Sequence, residues 1–335
     1  DIVFHSVYPQ AEIDKEVEVI CDEIESYNDS PAELIYDEFE NILFKNSSLG
    51  HNILGTAEQV RSFTTEDALR FTRKLYRPDN AIFFAYGDID FKKLVKLVGR
   101  ALADDESGKL AAEKLPQISQ ISRDENPVAT EKSVSSVESV GPKNYPSVGE
   151  EIAGQTIVMQ KNTHQAHVMI GTRAYDVNDD RRMPLYLLNN ILGGPGMNAK
   201  LNLALREHNG LVYTVESTMV AYGDTGTWNI YFGCDEHDIK RCLRLVRKEL
   251  DRMMEKPLSD SQLKAAKKQI KGQIGVACDN RENFALDFGK SFLHYGWEKN
   301  VDRLYEQVEA ITSQQIQDVA RELFDKDRLI TLIFK

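Results

Sequence analysis

Two carboxylates, seven residues apart, are the first residues in this chain whose type and spacing suggest chemistry. In EVEVICDEIESYNDSP, residues 16–31, helical spacing puts Glu16, Ile20, Glu23 and Tyr27 on one face. A carboxylate on a partly apolar face calls for a partner, because an unpaired buried charge is costly. A metal ion or a catalytic water would supply one. The ordinary alternative is a solvated face on which both glutamates meet Lys or Arg from a neighbour. No second ligand cluster lies close in sequence. The seven histidines, at 5, 51, 164, 167, 208, 237 and 294, form neither HxxEH nor HExxH. His164 and His167 in NTHQAH are the rival metal pair by spacing. Entering a strand, they would point to opposite faces, so a solvated turn is expected there.

The elements that must position these residues can be read from pattern. A helix is expected over about 12–28, and a second through AELIYDEFENILF behind Ser30 and Pro31. The loop SSLGHNILGT follows. Thr65 opens a helix with Glu66 and Asp67 in its first turn, and Arg77-Pro78 ends it. AIFFAYGDI, residues 81–89, reads as a buried strand followed by an amphipathic helix, FKKLVKLVGRAL. From 106 to 150 the periodicity dissolves into a Ser-, Glu-, Lys- and Pro-rich stretch expected to be an interdomain linker. Beyond it, GQTIVMQ and QAHVMIGTRA read as strands, and RRMPLYLLNNILGG and MNAKLNLALREHN as helices. LVYTVESTMVAYG and TWNIYFGCDE read as an antiparallel pair turned at GDTG. Four or five helices and a last strand, RLITLIF, complete the chain.

The 335 residues suffice for two domains with sizeable cores. A net charge of −12 argues against a nucleic-acid surface. No apolar run is long enough to span a bilayer, and DIVFHSVYPQ lacks the regions of a signal peptide. The chain begins with Asp, as a processed product or fragment would. The compartment expected is the cytoplasm, or the periplasm or an organelle if a leader was removed. Cys21, Cys234, Cys242 and Cys278 show no CxxC spacing and are expected to be reduced, buried thiols.

The two parts of the chain are related by an internal repeat. SFTTEDALRFTRKLYRPDNAIFFA lies over AITSQQIQDVARELFDKDRLITLI, so that Thr64 meets Thr312, Arg73 meets Arg321, Leu75 meets Leu323, Asp79 meets Asp327 and Ile82 meets Ile330. At the same offset Glu16 meets Lys264 and Glu23 meets Lys271. Two halves of one fold are implied, of which the first alone carries the carboxylates. A complete first half would begin about 80 residues upstream of Asp1.

VICDEIESYNDSP, LGHNILGT with LYRPDNAIFFAYGDI, and NNILGGPGMNAKLNLALREHNGLVYTV together resemble the pitrilysin/insulinase-type (M16) zinc peptidases. The resemblance runs through nearly the whole chain. It implies an α+β fold: two related sandwich domains of mainly antiparallel sheet with helices on one side, of the mitochondrial processing peptidase-like metallohydrolase type, the first truncated. The expected division is 1–105 as the later part of the metal-binding domain, 106–150 as linker and 151–335 as the second, non-metal domain. By resemblance Glu23 is the third zinc ligand and Glu16 the supporting carboxylate behind it. Arg206 and Tyr213 match the family's Arg–Tyr pair, which binds substrate backbone and stabilises an oxyanion. Absent the resemblance, Arg206 would be read as a helix-terminal ion pair and Tyr213 as a packed strand residue. Gly193, Gly194 and Gly196 in GGPG lack the Lys and Ser/Thr of a phosphate loop and are expected to form a tight turn.

The resemblance implies one zinc per complete protein and a peptide substrate added in extended form to a sheet edge. Homodimerisation or pairing with a peptidase-like subunit is compatible with it. The missing HxxEH is the departure from the pattern: the chain alone is expected to be inactive and to hold zinc poorly. The competing expectation is a non-catalytic binding or assembly subunit.

Overall fold

The computed structural model describes residues 2–103, 154–296 and 300–335. The linker expected over 106–150 lies outside them. Packing separates two compact units. One runs up to Val17, resumes at Arg61 and takes in Gly275 to Asn300. The other holds Glu18 to Val60, the stretch ending at Ile274, and Val301 to Lys335. The grouping thus follows packing rather than chain order.

The larger unit is built on a five-stranded sheet. Its strands are β1 (Thr156–Met159), β2 (Ala166–Ala174), β3 (Val212–Ala221), β4 (Gly226–Cys234) and β5 (Ile330–Phe334), in the order β1-β5-β2-β4-β3. β1 and β5 are parallel and the other pairings antiparallel, so the sheet is mainly antiparallel and the class α+β. The 222–226 turn closes β3 onto β4, with the Tyr222 N–H donating to the Thr225 carbonyl at 2.8 Å.

Side chains alternate across β4, and the two faces meet different helices. Trp228, Ile230 and Phe232 are fully buried on one face. Trp228 packs on Phe324 at 4.5 Å between ring centroids. This side holds α6 (Arg182–Gly193), α7 (Ile239–Glu255) and α11 (Ser313–Leu323). α6 lies so close to β3 that a Cβ on Gly193 would sit 2.4 Å from the Ser217 nitrogen. Close backbone approach is what that glycine permits.

The opposite face is covered by α2 (Pro31–Leu43), an addition to the helical layer expected on one side. Leu34, Ile35, Phe39, Leu43 and Phe44 pack with Met169, Tyr231, Ile330, Leu332 and Phe334. Three polar ties hold the helix down. Tyr36 donates to Glu216, Tyr222 donates to Glu40 at 3.1 Å, and Arg173 donates to the Leu43 carbonyl from Nε at 3.0 Å and Nη2 at 2.8 Å. Arg173 thus satisfies a carbonyl that a helix C-terminus leaves unpaired, with its charge favourably placed against the helix dipole.

The repeat is visible in the helix caps. In α4 (Thr65–Leu75) Thr64 and Asp67 form a capping box, and in α11 Thr312 and Gln315 form the same box at the matching positions. Both helices are 11 residues long. The match fails at the strand: Ile330 opens β5, whereas residues 81–86 are not a strand, contrary to the sequence expectation. Among the described residues no neighbouring strand supplies their backbone partners. In the smaller unit Phe84 packs instead on Phe288 of α9 (Arg281–Tyr295) at 5.3 Å, and Arg281 lies over Tyr86 at 5.5 Å. α5 (Phe91–Ala103) follows as the helix expected there. Among the described residues the α-helices after β4 are α7, α8 (Asp260–Asp279), α9, α10 (Val301–Ala310) and α11, and the upstream loop contains the short α3 (Ala57–Arg61).

Candidate functional site

Arg206 and Tyr213 are separated in sequence by a turn, and the fold brings them together. The Arg206 guanidinium lies over the Tyr213 ring, 5.5 Å from its centroid. Tyr213 is 83% exposed, so the pair projects into solvent rather than into the core. Arg206 also lies 3.8 Å from Glu207, a distance at which an exposed ion pair contributes little. Both ring and guanidinium therefore remain available to a ligand.

Each member of the pair sits on a backbone irregularity. Asn202–Glu207 is a π-helical turn, in which the His208 N–H reaches the Leu203 carbonyl at 3.0 Å. Such turns are rare and occur often at functional sites. Gly210, at φ +62°, then reverses the chain in a conformation glycine adopts without Cβ strain. In β3 the register slips between Val212, opposite Cys234, and Val215, opposite Phe232. Tyr213 lies inside this bulge, which re-aims a side chain relative to a regular ladder. β3 is also an edge strand of the sheet. The glycines preceding this segment form the tight turn expected of them: Gly194, Pro195 and Gly196 lie between α6 and the helical stretch that begins at Lys200. Beside this turn a cleft of about 230 Å³ is rimmed by Asn190, Asn198, Gln262, Gln269 and Leu203.

Glu16 and Glu23 both lie on α1 (Gln10–Asn28) and both are exposed. The buried positions of the helix are Val17 and Cys21, so the stripe expected through Glu16, Ile20, Glu23 and Tyr27 is turned largely outward. Tyr27 donates to the Glu33 carbonyl at 3.2 Å, across the turn into α2. Lys271, the repeat counterpart of Glu23, is engaged in an ion pair with Glu309 at 3.5 Å and lies over Tyr305 at 5.5 Å.

Of the histidine pair, His164 is exposed in a turn, but His167 is part of β2, not of a solvated turn. Its Nδ1 is 2.8 Å from the Tyr231 hydroxyl and its ring stacks on that tyrosine. Partial burial lowers the His167 pKa below its ordinary value. Burial first, and Glu216 second, push the Tyr231 phenol up to about 12. Among the described residues the group that could hold a metal ion is Asp235, His237 and Asp238, at the end of β4. It can be read directly from the run CDEHD, though sequence analysis passed over it. Its members are largely exposed and His237 already pairs with Asp238 at 3.3 Å.

A catalytic zinc site takes three protein ligands and an open position. On α1 Glu23 can be one such ligand, and no histidine lies near it in sequence. The residues present do not complete a zinc site around Glu23.

Comparison with known proteins bears on the family and the fold. The sequence profile described as "Peptidase M16 inactive domain" matches residues 62–270. The chain is 28% identical to an "uncharacterized zinc protease" of Streptomyces coelicolor over 333 residues, spanning 99% of this chain and 67% of that protein. It is 27% identical to one of Bacillus subtilis, spanning 99% of this chain and 73% of that one. Among solved structures, a protease from Helicobacter pylori superposes with a TM-score of 0.76 at 18% identity, over 98% of this chain and 73% of that one. A peptidase M16 inactive domain from Pseudomonas fluorescens superposes with a TM-score of 0.72 at 16% identity, over 99% and 72%.

Proposed function

The chain belongs to the peptidase M16 family, in which it matches the inactive-type domain, and on that premise we propose that it is part of a zinc-dependent endo- or oligopeptidase. Peptides are cleaved between two homologous halves of the complete protein, and this chain alone is inactive because it carries no HxxEH. Residues 1–105 and 151–335 belong to the two halves, joined by the segment 106–150. The relatives called zinc proteases support the metal. In the complete protein the zinc ion would supply an activated water, with Glu23 as one ligand and Glu16 orienting it.

The observation that carries the proposal is the Arg206–Tyr213 pair, exposed beside an edge strand. A guanidinium and a phenol presented together can donate to peptide carbonyls. The phenol can also donate to the oxyanion that forms when a peptide carbonyl is attacked. An edge strand offers unpaired backbone groups to an extended peptide.

The test uses the complete protein as it occurs in the cell. Glu23→Gln should lower zinc content sharply, and Tyr213→Phe should lower peptide turnover by about 10²-fold with zinc retained. Unchanged metal load in the first variant, or normal turnover in the second, overturns the corresponding role. The absence of HxxEH from these 335 residues favours a second reading, a non-catalytic binding or assembly subunit. An HxxEH upstream of Asp1 supports the enzyme, and its absence there supports the subunit.

A further inference from the structure

We propose that Asn209, oriented by Arg241, is a positioning residue that locks the π-turn in the register that places Arg206 beside Tyr213. The inference rests on the reading of that pair as a peptide-binding group. Two side-chain and two backbone hydrogen bonds carry it. The Asn209 Nδ2 donates to the Ala204 carbonyl at 2.8 Å. The Asn209 Oδ1 accepts from Arg241 Nη2, also at 2.8 Å. The backbone ladder passes on either side, from the His208 N–H to Leu203 and from Gly210 to Arg206.

The consequence is topological. In an α-register the His208 N–H would bond to the Ala204 carbonyl, four residues back. Here that N–H reaches one residue further, to Leu203, and the Ala204 carbonyl is left to a side chain. Asn209 occupies the acceptor that the competing register needs. Relaxation to the α-register would shift the helix by one residue and swing Arg206 about 100° around its axis, away from Tyr213.

Arg241 decides which way the carboxamide points. A guanidinium only donates, so it selects Oδ1 and leaves Nδ2 for the Ala204 carbonyl. Arg241 lies on α7, whose buried side packs Cys242, Val246 and Leu250 into the sheet core. The register of the π-turn is therefore referenced to a rigid element of the same unit. This part of the site was not read from the sequence. The Asn209-Gly210 pair signals a turn, but its partners are set only by the fold.

The experiment measures binding of a fluorescent extended peptide to the purified chain by anisotropy, alongside the midpoint of thermal unfolding. A library pool selected on the unsubstituted chain supplies the probe. Asn209→Ala should weaken binding about 10-fold while the unfolding midpoint moves by no more than about 2 °C. Asn209→Asp keeps the acceptor for Arg241 but lacks the donor to Ala204, and should weaken binding as much as alanine does. Arg241→Ala should weaken it less, and Arg241→Lys should restore most of that loss. Once Asn209 is alanine, removing Arg241 should have no further effect. If Arg206→Ala and Tyr213→Phe weaken binding and Asn209→Ala and Asn209→Asp do not, the positioning role is overturned while the peptide-binding reading stands. If Arg206→Ala and Tyr213→Phe leave binding unchanged, that reading fails, and the positioning role with it.

Discussion

Arg206 and Tyr213 show what a break in strand register does to the presentation of a side chain. Tyr213 lies within the β3 bulge, 83% exposed and beneath a guanidinium. His167 shows the opposite case, a polar residue drawn partly inside. It stacks on Tyr231 and its pKa is depressed by burial from the ordinary value of 6.5. The Tyr231 phenol, pushed up to about 12, stays neutral throughout the physiological range. As pH falls through 6.5 the unfolded chain takes up a proton at this histidine before the folded chain does, so stability is lost on acidification. The loss begins near pH 6.5 and ends once pH passes below the folded pKa. Glu40 and Asp37 act in the opposite sense, because burial raises their pKa values above 4.5 and 3.8. Denaturant titrations of the chain and of His167→Gln between pH 7.5 and 5 should therefore diverge below about pH 6.5, with the variant less sensitive to acid. Parallel curves would mean that His167 titrates alike in both states.

At the scale of elements, the twin capping boxes allow a comparison within one molecule. Thr312 starts α11, whose Ile316, Val319, Ala320 and Leu323 are buried. Thr64 starts α4, which has no buried residue. Removing either hydroxyl orphans a backbone N–H, at a cost of about 1 kcal/mol to its helix. Thr312→Ala should lower global unfolding stability by about that amount, because α11 cannot fray without uncovering the core. Thr64→Ala should instead speed hydrogen exchange in the first turn of α4 and leave the main transition nearly unmoved. Equal shifts in both variants would contradict this. The two capping boxes carry a local signal, Thr three residues ahead of Asp67 or Gln315, that sequence analysis passed over, while the start of α4 was legible from Glu66 and Asp67 in its first turn. So were β2, β3, β4 and the 222–226 turn, whose apolar alternation and Gly residues need no distant partner to be recognised. Residues 81–89 have equally strong local strand character, yet a ladder is not a local property: with no neighbouring strand among the described residues, Phe84 of the same apolar run packs on α9. The π-turn and the bulge were illegible for the same reason. Each is a choice of hydrogen-bond register, settled by Asn209 and by the β4 backbone rather than by residue type.

The organisation of the molecule turns on α2. The chain suggests a break near 150, with everything after it forming one domain. Yet the face of the sheet that carries Met169, Tyr231, Leu332 and Phe334 is covered by residues 31–44. Phe39 and Phe44 are fully buried there, and Arg173 spends two N–H donors on the last turn of α2. A polypeptide of residues 151–335 would keep all five strands and lose that cover. Met169, Tyr231, Ile330, Leu332 and Phe334 would then form a contiguous exposed apolar patch, of the kind that drives association. The Arg173 guanidinium would lose its carbonyl partner, and Glu216 its bond from Tyr36. Residues 151–335 expressed alone should therefore bind a hydrophobic dye strongly, self-associate on gel filtration and unfold at lower denaturant than residues 1–335. Phe39→Ala in the longer chain should reproduce part of the destabilisation, about 3–5 kcal/mol, by opening a cavity at the same interface. A monomeric 151–335 that matches the stability of the longer chain would mean that its sheet needs no cover. The contact between α2 and the sheet would then be incidental to the fold.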